Sequence, residues 1–109
     1  MLACHPGQRW VSRTEPELGL GLVLQVADRR AMVAFPAAEE ERAYATDNAP
    51  LIRVEYLIGD HIKTDSGEWI TVNSIATLNE CFVYSGTTES GQKIKIHERN
   101  LDSSVQFSK

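Results

Sequence analysis

The stretch at residues 18–36, Leu-Gly-Leu-Gly-Leu-Val-Leu-Gln-Val-Ala-Asp-Arg-Arg-Ala-Met-Val-Ala-Phe-Pro, constrains the fold more than any other. It is too apolar for a loop. It is too broken for a helix, because Gly19 and Gly21 would each cost about 1 kcal/mol in a helix interior. It reads instead as a β-hairpin, with strands at 22–27 and 31–35 joined by a turn at Asp28-Arg29-Arg30. So short a connection forces antiparallel pairing. Successive side chains of a strand face opposite ways. Leu22, Leu24 and Val26 are therefore expected on one face, with Val33 and Phe35 covering a core in the same way. Pro36 lacks an N–H and ends the second strand. The acidic run Glu39-Glu40-Glu41 marks a solvated turn, and residues 42–45 read as the return strand.

The remaining chain carries the same pattern twice. Residues 7–12 form a first strand with Trp10 and Val11 as its apolar members, 13–17 a polar loop, 46–50 a turn, and 51–57 a strand. The pattern restarts at Ile58-Gly59-Asp60. A strand at 59–64 is followed by a turn at 65–67 and a long strand at 68–78. Its alternation slips near Asn73-Ser74, which predicts a bulge. A turn at 79–80, a strand at 81–85, a polar loop at 87–91, and strands at 92–97 and 104–107 complete the chain. Gly7-x-x-Trp10-Val-Ser12 matches Gly59-x-x-Ile62-Lys-Thr64, a spacing of about 52 residues. No segment shows sustained helical periodicity. The fold class is all-β: two tandem SH3-like barrels of strongly bent antiparallel sheet, at about residues 5–57 and 58–109.

A chain of 109 residues builds only modest cores. Its net charge of -4 argues against bulk non-specific nucleic-acid binding, while leaving a local basic patch open. Cys4 and Cys81 have no zinc spacing and read as free thiols of a reducing cytoplasm. No apolar run approaches the roughly 20 residues that cross a bilayer, so no membrane association is expected. Residues 1–6 are too short and polar for a secretion signal.

Catalytic signatures are missing. Gly19-Leu-Gly21 lacks a third glycine and opens a strand, whereas a phosphate site of that kind needs helix N–H groups. His5, His61 and His97 are scattered without metal-ligand spacing. There is no G-x-S-x-G or P-loop motif. The chain is expected to be non-catalytic, with no metal and no cofactor. Lys93, Lys95 and His97 fall on one face of a strand with period two, opposite Ile94 and Ile96, and Arg99 follows. This set is either a solvated outer face, the commoner arrangement, or a stripe facing an anion or RNA. Arg29-Arg30 at the hairpin tip has the same two readings. Trp10, Tyr44, Tyr56, Trp69 and Tyr84 either plug the small cores or line a cage for a methylated cation.

Several ordered stretches resemble one family. Gly7-Gln-Arg-Trp-Val-Ser12, Glu15-x-Glu-Leu-Gly-Leu-Gly21, Val33-Ala-Phe-Pro36, Arg42-x-Tyr-Ala45, Asp47-Asn-Ala-Pro-Leu-Ile-Arg-Val54 and the tail from Leu101 are similar to the N-terminal region of the RapA (HepA) family. Members are bacterial SWI/SNF-type, ATP-dependent, helicase-like enzymes associated with RNA polymerase. The resemblance implies two Tudor-like or KOW-like sheets that take part in transcription regulation in the cytoplasm. It implies RNA polymerase and the ATPase domains of the same protein as partners, with RNA or DNA as the alternative. On that basis Arg29, Arg30, Lys93 and Lys95 are the expected partner contacts. Lys93, Lys95, His97 and Arg99 are the expected contacts if the partner is nucleic acid.

Overall fold

Two tight turns, at Asp28-Arg29 and Asn79-Glu80, set the layout of the computed structural model, which describes residues 3–104. All four turn residues have positive φ, between 50° and 68°. That is the conformation a two-residue hairpin turn requires, because its twist matches that of the flanking strands. Asp and Asn tolerate it best among residues with a side chain. The first turn is one residue shorter than expected, since Arg30 already pairs with Ala27 across the ladder.

Among the described residues, unit 1 comprises 3–54 together with Ser103 and Ser104, and unit 2 comprises Glu55–Asp102. The first sheet contains β1 (Arg9–Ser12), β2 (Leu20–Ala27), β3 (Arg30–Phe35), β4 (Glu40–Ala45) and β5 (Leu51–Arg53), in the order β4-β3-β2-β1-β5. The second contains β6 (His61–Lys63), β7 (Trp69–Leu78), β8 (Cys81–Thr88) and β9 (Lys93–His97), in the order β6-β7-β8-β9. Every pairing named within these sheets is antiparallel. Helical structure among the described residues is confined to single 3-10 turns at Pro16–Leu18, Pro36–Ala38 and Glu98–Asn100. The architecture is all-β and built of small, bent, SH3-like sheets.

The repeat extends to individual hydrogen bonds. Gly7 N donates to Val23 O at 2.9 Å and Val23 N to Gln8 O at 3.0 Å; Gly59 N donates to Val72 O at 2.8 Å and Val72 N to Asp60 O at 2.9 Å. Glu15 N donates to the Ser12 hydroxyl at 2.9 Å, and Glu68 N to the Thr64 hydroxyl at 3.1 Å. Arg13 N reaches Pro50 O, as Asp65 N reaches Asn100 O, each at 2.8 Å. Each long hairpin carries one register shift, between Val23 and Gln25 in unit 1 and between Val72 and Ser74 in unit 2. The extra residues, Leu24 and Asn73, bend the strands so that each sheet curls over its own core.

Several expectations need correction. Leu22, Leu24 and Val26 do not form the core face of β2. Leu22 is half-buried, while Leu24 is 46% and Val26 37% exposed. Val23 packs instead with Ala31, Val33, Phe35 and Trp10, because the bulge at Leu24 interrupts the alternation. Glu40 and Glu41 are strand residues, on a β4 whose exposed edge tolerates charge. Arg42 of that strand forks onto Glu15 at 3.2 and 3.3 Å. The strand expected at 51–57 stops at Arg53, where the chain passes from one unit to the other. β8 runs on through Thr88, shortening the expected loop. The strand expected at 104–107 lies outside the described residues apart from Ser104.

Unit 2 is centred on Tyr84, which is wholly buried. Its hydroxyl accepts from Tyr56 N at 3.1 Å, and the two rings meet edge to face at 5.9 Å. The buried carboxylate of Glu98 accepts from Phe82 N, tying the last 3-10 turn to β8.

The two cores divide the same space differently. Superposing the ladders pairs Gly21 with Ile70 and Val33 with Gly86. A Cβ on Gly21 would lie 2.7 Å from Val33 Cγ1 and 2.9 Å from Phe35 Cε1. A Cβ on Gly86 would lie 2.5 Å from Thr71 O and 3.1 Å from Ile70 Cδ1. The small partner is on β2 in unit 1 and on β8 in unit 2. Gly21→Ala and Gly86→Ala should therefore each overpack a filled core and cost about 1–3 kcal/mol. Urea unfolding reads this as a lower midpoint at unchanged slope, and an unmoved midpoint would refute the packing argument.

Candidate functional site

The bulges that bend the sheets also decide what each sheet presents on its outer face. In unit 2 the ladder aligns Thr71, Thr87 and Lys93 in one row, and Ser74, Ser85 and Lys95 in the next. The bulge turns Asn73 onto the same face, where its Nδ2 donates to Thr87 Oγ1 at 2.7 Å. Thr71 Oγ1 is 3.1 Å from His61 Nδ1. Ala76, Val83 and His97 form the following row. No side chain in these rows is a carboxylate, in a chain with 15 of them. Asn73, Ser74, Ser85, Gly86, Ile94 and the two lysines line a surface groove of about 350 Å³.

Lys93 and Lys95 are exposed, as their spacing predicts, while Ile96 on the opposite face is buried. Among the described residues no carboxylate lies within salt-bridge distance of either lysine. His97 shares their face but is half-buried, and its Nδ1 accepts from Arg99 N at 3.1 Å. It caps the 3-10 turn that carries Arg99. Burial and, secondarily, the Arg99 charge hold the His97 imidazole below its ordinary pKa.

Arg29 and Arg30 belong to unit 1. Both are exposed at the β2–β3 tip. The Arg29 carbonyl accepts from Thr46 N at 2.9 Å and from the Thr46 hydroxyl at 3.2 Å, which fixes the turn. Arg30 lines a cleft of about 430 Å³ with Gln25, Ala27, Asp28 and Met32. The outer face above it differs from that of unit 2. The row Leu22, Ala34 and Glu41 stands where unit 2 has Thr71, Thr87 and Lys93. Gln25, Met32 and Ala43 replace Ser74, Ser85 and Lys95, and Leu24 replaces Asn73. One scaffold thus carries a mainly apolar outer face in unit 1 and a hydroxyl-rich, basic one in unit 2.

The five aromatic residues considered for a cage do not form one. Trp10 is buried and its Nε1 donates to Gln8 at 2.9 Å. Tyr44 meets Phe35 edge to face at 6.5 Å. Tyr56 and Tyr84 are core residues of unit 2. Trp69 does not plug the core: it is 42% exposed and lies on the outer face beside Thr71, with Lys63 Nζ 5.8 Å from its ring centre. Sequence reasoning missed the Ser/Thr/Asn floor. The slip at Asn73-Ser74 was its one available signal. Cys4 and Cys81 form no disulfide among the described residues, and burial pushes the Cys4 thiol up. Among the described residues no cluster of three or more metal-ligating side chains occurs, and no helix is long and apolar enough to cross a membrane.

Comparison with known proteins gives a consistent result. Residues 5–54 match the family described as RapA N-terminal Tudor like domain 1, and residues 56–109 match the RapA N-terminal Tudor like domain. The RNA polymerase-associated protein RapA of Actinobacillus pleuropneumoniae serotype 5b (strain L20) is 41% identical over 104 residues, covering 94% of this chain and 11% of that protein. The protein of the same description from Stutzerimonas stutzeri (strain A1501) is 40% identical over 102 residues, with the same two coverages. The chain therefore spans 11% of the length of these curated relatives.

The His97 cap makes stability depend on pH. Unfolded histidine takes up a proton below about pH 6.5, whereas folded His97, which is half-buried and stands beside the Arg99 charge, resists it. The stabilising contribution is present above that pH and is lost as pH falls towards the lower folded value. The difference in unfolding midpoint between the wild type and His97→Gln should shrink as pH drops from about 7 to about 5. A constant difference across that window would show that His97 does not titrate in this way.

Proposed function

The chain belongs to the family of RapA N-terminal Tudor-like domains, and from that premise we propose that it is a non-catalytic interaction and regulatory module of a RapA-type ATPase. It binds RNA polymerase and restrains the ATPase of the longer protein, in the cytoplasm where transcription runs. The observation that carries this reading is the exposed face of unit 1. Leu24, Met32 and the β2–β3 tip present apolar surface beside two arginines. An apolar patch flanked by arginine is the composition that protein interfaces favour. The relatives are described as RNA polymerase-associated, which supports polymerase as the partner.

Arg29 and Arg30 are the first contacts in this reading, with Lys93 and Lys95 behind them. Replacing both arginines with glutamate should weaken binding to core RNA polymerase by about tenfold, mainly through slower association at low salt. The change lies at an exposed tip, so circular dichroism should show an unaltered fold. Unchanged affinity would remove the tip from the interface. A full-length relative lacking the region matched here should hydrolyse ATP faster than the intact protein, and equal turnover would argue against restraint.

A further inference from the structure

A cleft at the start of β7 is used by neither the arginine tip of unit 1 nor the lysines of β9. We propose that it binds an extended polypeptide segment through an arginine side chain. The guanidinium would stack on Trp69 between Glu68 and Glu89, and a backbone carbonyl of the segment would accept from Trp69 N. Three observations converge on this assignment.

The first is the lining. The cleft has a volume of about 260 Å³ and is formed by Gly67, Glu68, Trp69, Glu89 and Ser90. It is smaller than the roughly 300–1,000 Å³ of drug-sized ligand pockets and suits one long side chain. None of the five residues is basic. Glu68 and Glu89 are exposed, and neither has an ion pair among the described residues. The second is the ring. Trp69 is 42% exposed, and Lys63 Nζ, 5.8 Å from its centre, shows that its setting accommodates a cation. Lys63 pairs with Trp69 from the β6 side and its charge is met by Asp102 at 3.2 Å. Glu89 and Ser90 follow Thr88, the partner of Ile70, and so stand on the opposite, β8 side.

The third observation is the internal repeat. Val11 pairs with Leu20 as Lys63 pairs with Trp69, so Leu20 is the unit 1 counterpart of Trp69. At that place unit 1 already holds a polypeptide segment, its own. Leu20 N donates to Ser103 O at 3.0 Å, and Arg9 Nη1 donates to Ser103 Oγ at 2.8 Å. A Cβ on Gly19 would lie 2.5 Å from Ser103 O, and Leu20 is wholly buried. Glu15 and Glu68 make the same cap on Ser12 and Thr64, but the 3-10 turn at Pro16–Leu18 and Gly19 intervene before Leu20, whereas Trp69 follows Glu68 directly. Among the described residues, none outside the strands accepts from Trp69 N. A position filled from within in unit 1 is therefore open to an outside segment in unit 2.

The lining selects the side chain. A guanidinium is planar, stacks on an aromatic face and forks onto carboxylates, while an ammonium is a more strongly hydrated point charge. A quaternary ammonium is held by a cage of several rings, and this cleft supplies one. A phosphate chain would be repelled by the two carboxylates beside the ring.

The test is a nuclear magnetic resonance titration of this chain, labelled with nitrogen-15, with the peptide Gly-Ser-Gly-Arg-Gly-Ser-Gly at low salt. The indole N–H of Trp69 and its backbone amide should shift and saturate. The Trp10 indole, buried and bonded to Gln8, serves as the internal control and should stay in place. The lysine version of the peptide should bind several-fold more weakly, and the neutral citrulline version should not bind. Glu68→Gln combined with Glu89→Gln should reduce affinity about tenfold, whereas Glu80→Gln, at the far end of the β7–β8 hairpin, should leave it within about twofold. Trp69→Leu, followed through the Ser90 amide, should weaken binding about fivefold. No saturable shift by about 10 mM peptide overturns the proposal, as does unchanged affinity in Trp69→Leu or an equal loss in Glu80→Gln. Equal binding of the lysine peptide overturns the assignment to arginine. Displacement of the peptide by oligouridylate gives the ring to a base instead. Self-association of the free chain that Glu68→Gln with Glu89→Gln abolishes would assign the cleft to a second copy and overturn the outside partner.

Discussion

A small sheet can bury a core only if it bends, and in this chain the bend depends on one extra residue in each long hairpin. Leu24 and Asn73 interrupt their ladders at matching places, three residues after Gly21 and Ile70 respectively. Without them β2 and β7 would run straight, and the alternation that buries Val23 and Val72 would carry the next apolar residues away from the core. The bulge increases local twist and turns the strand over the packed face. The glycine turns at Gly7 and Gly59 then bring their N–H groups onto Val23 and Val72, on the inner side of each bend.

How far the sequence disclosed this architecture depended on whether the bulge disturbed the apolar pattern. At Asn73-Ser74 two polar residues break the alternation, and the shift is legible. At Leu24 the bulged residue is itself apolar, and Leu22, Leu24 and Val26 read as an unbroken core face. That reading hid the bulge and exchanged inside for outside along β2. The repeat was legible because Gly7 and Gly59, and Ser12 and Thr64, do the same backbone work in both halves. The end of β5 was not, since Val54 and Tyr56 are buried in different units and mimic a continuing strand.

The candidate contacts were legible to different depths. Lys93 and Lys95 followed directly from period two. His97 has the same period yet spends its Nδ1 on Arg99 N, a local cap that no spacing rule reveals. The hydroxyl floor beside the lysines comes from β7 and β8, and its members meet only through the register of that hairpin. Trp69 illustrates the same limit. Its apolar character suggests burial, while the register places it on the outer face. Two sheets of one design have thus acquired different surfaces, apolar with arginines in one and basic with hydroxyls in the other. Strand order and hydrogen bonding are retained while the outward-facing positions change.

The exchange of small and large residues between Gly21/Val33 and Ile70/Gly86 has a historical consequence. Repeats that arise by duplication can be homogenised when a segment of one overwrites the same segment of the other. Copying β2 over β7 alone would set a glycine against the glycine of β8 and leave a void. Copying β7 over β2 would set isoleucine against Val33 in a space already full. Only transfers that carry both strands of a hairpin together preserve the fit. The packing thus penalises piecemeal conversion between the two halves.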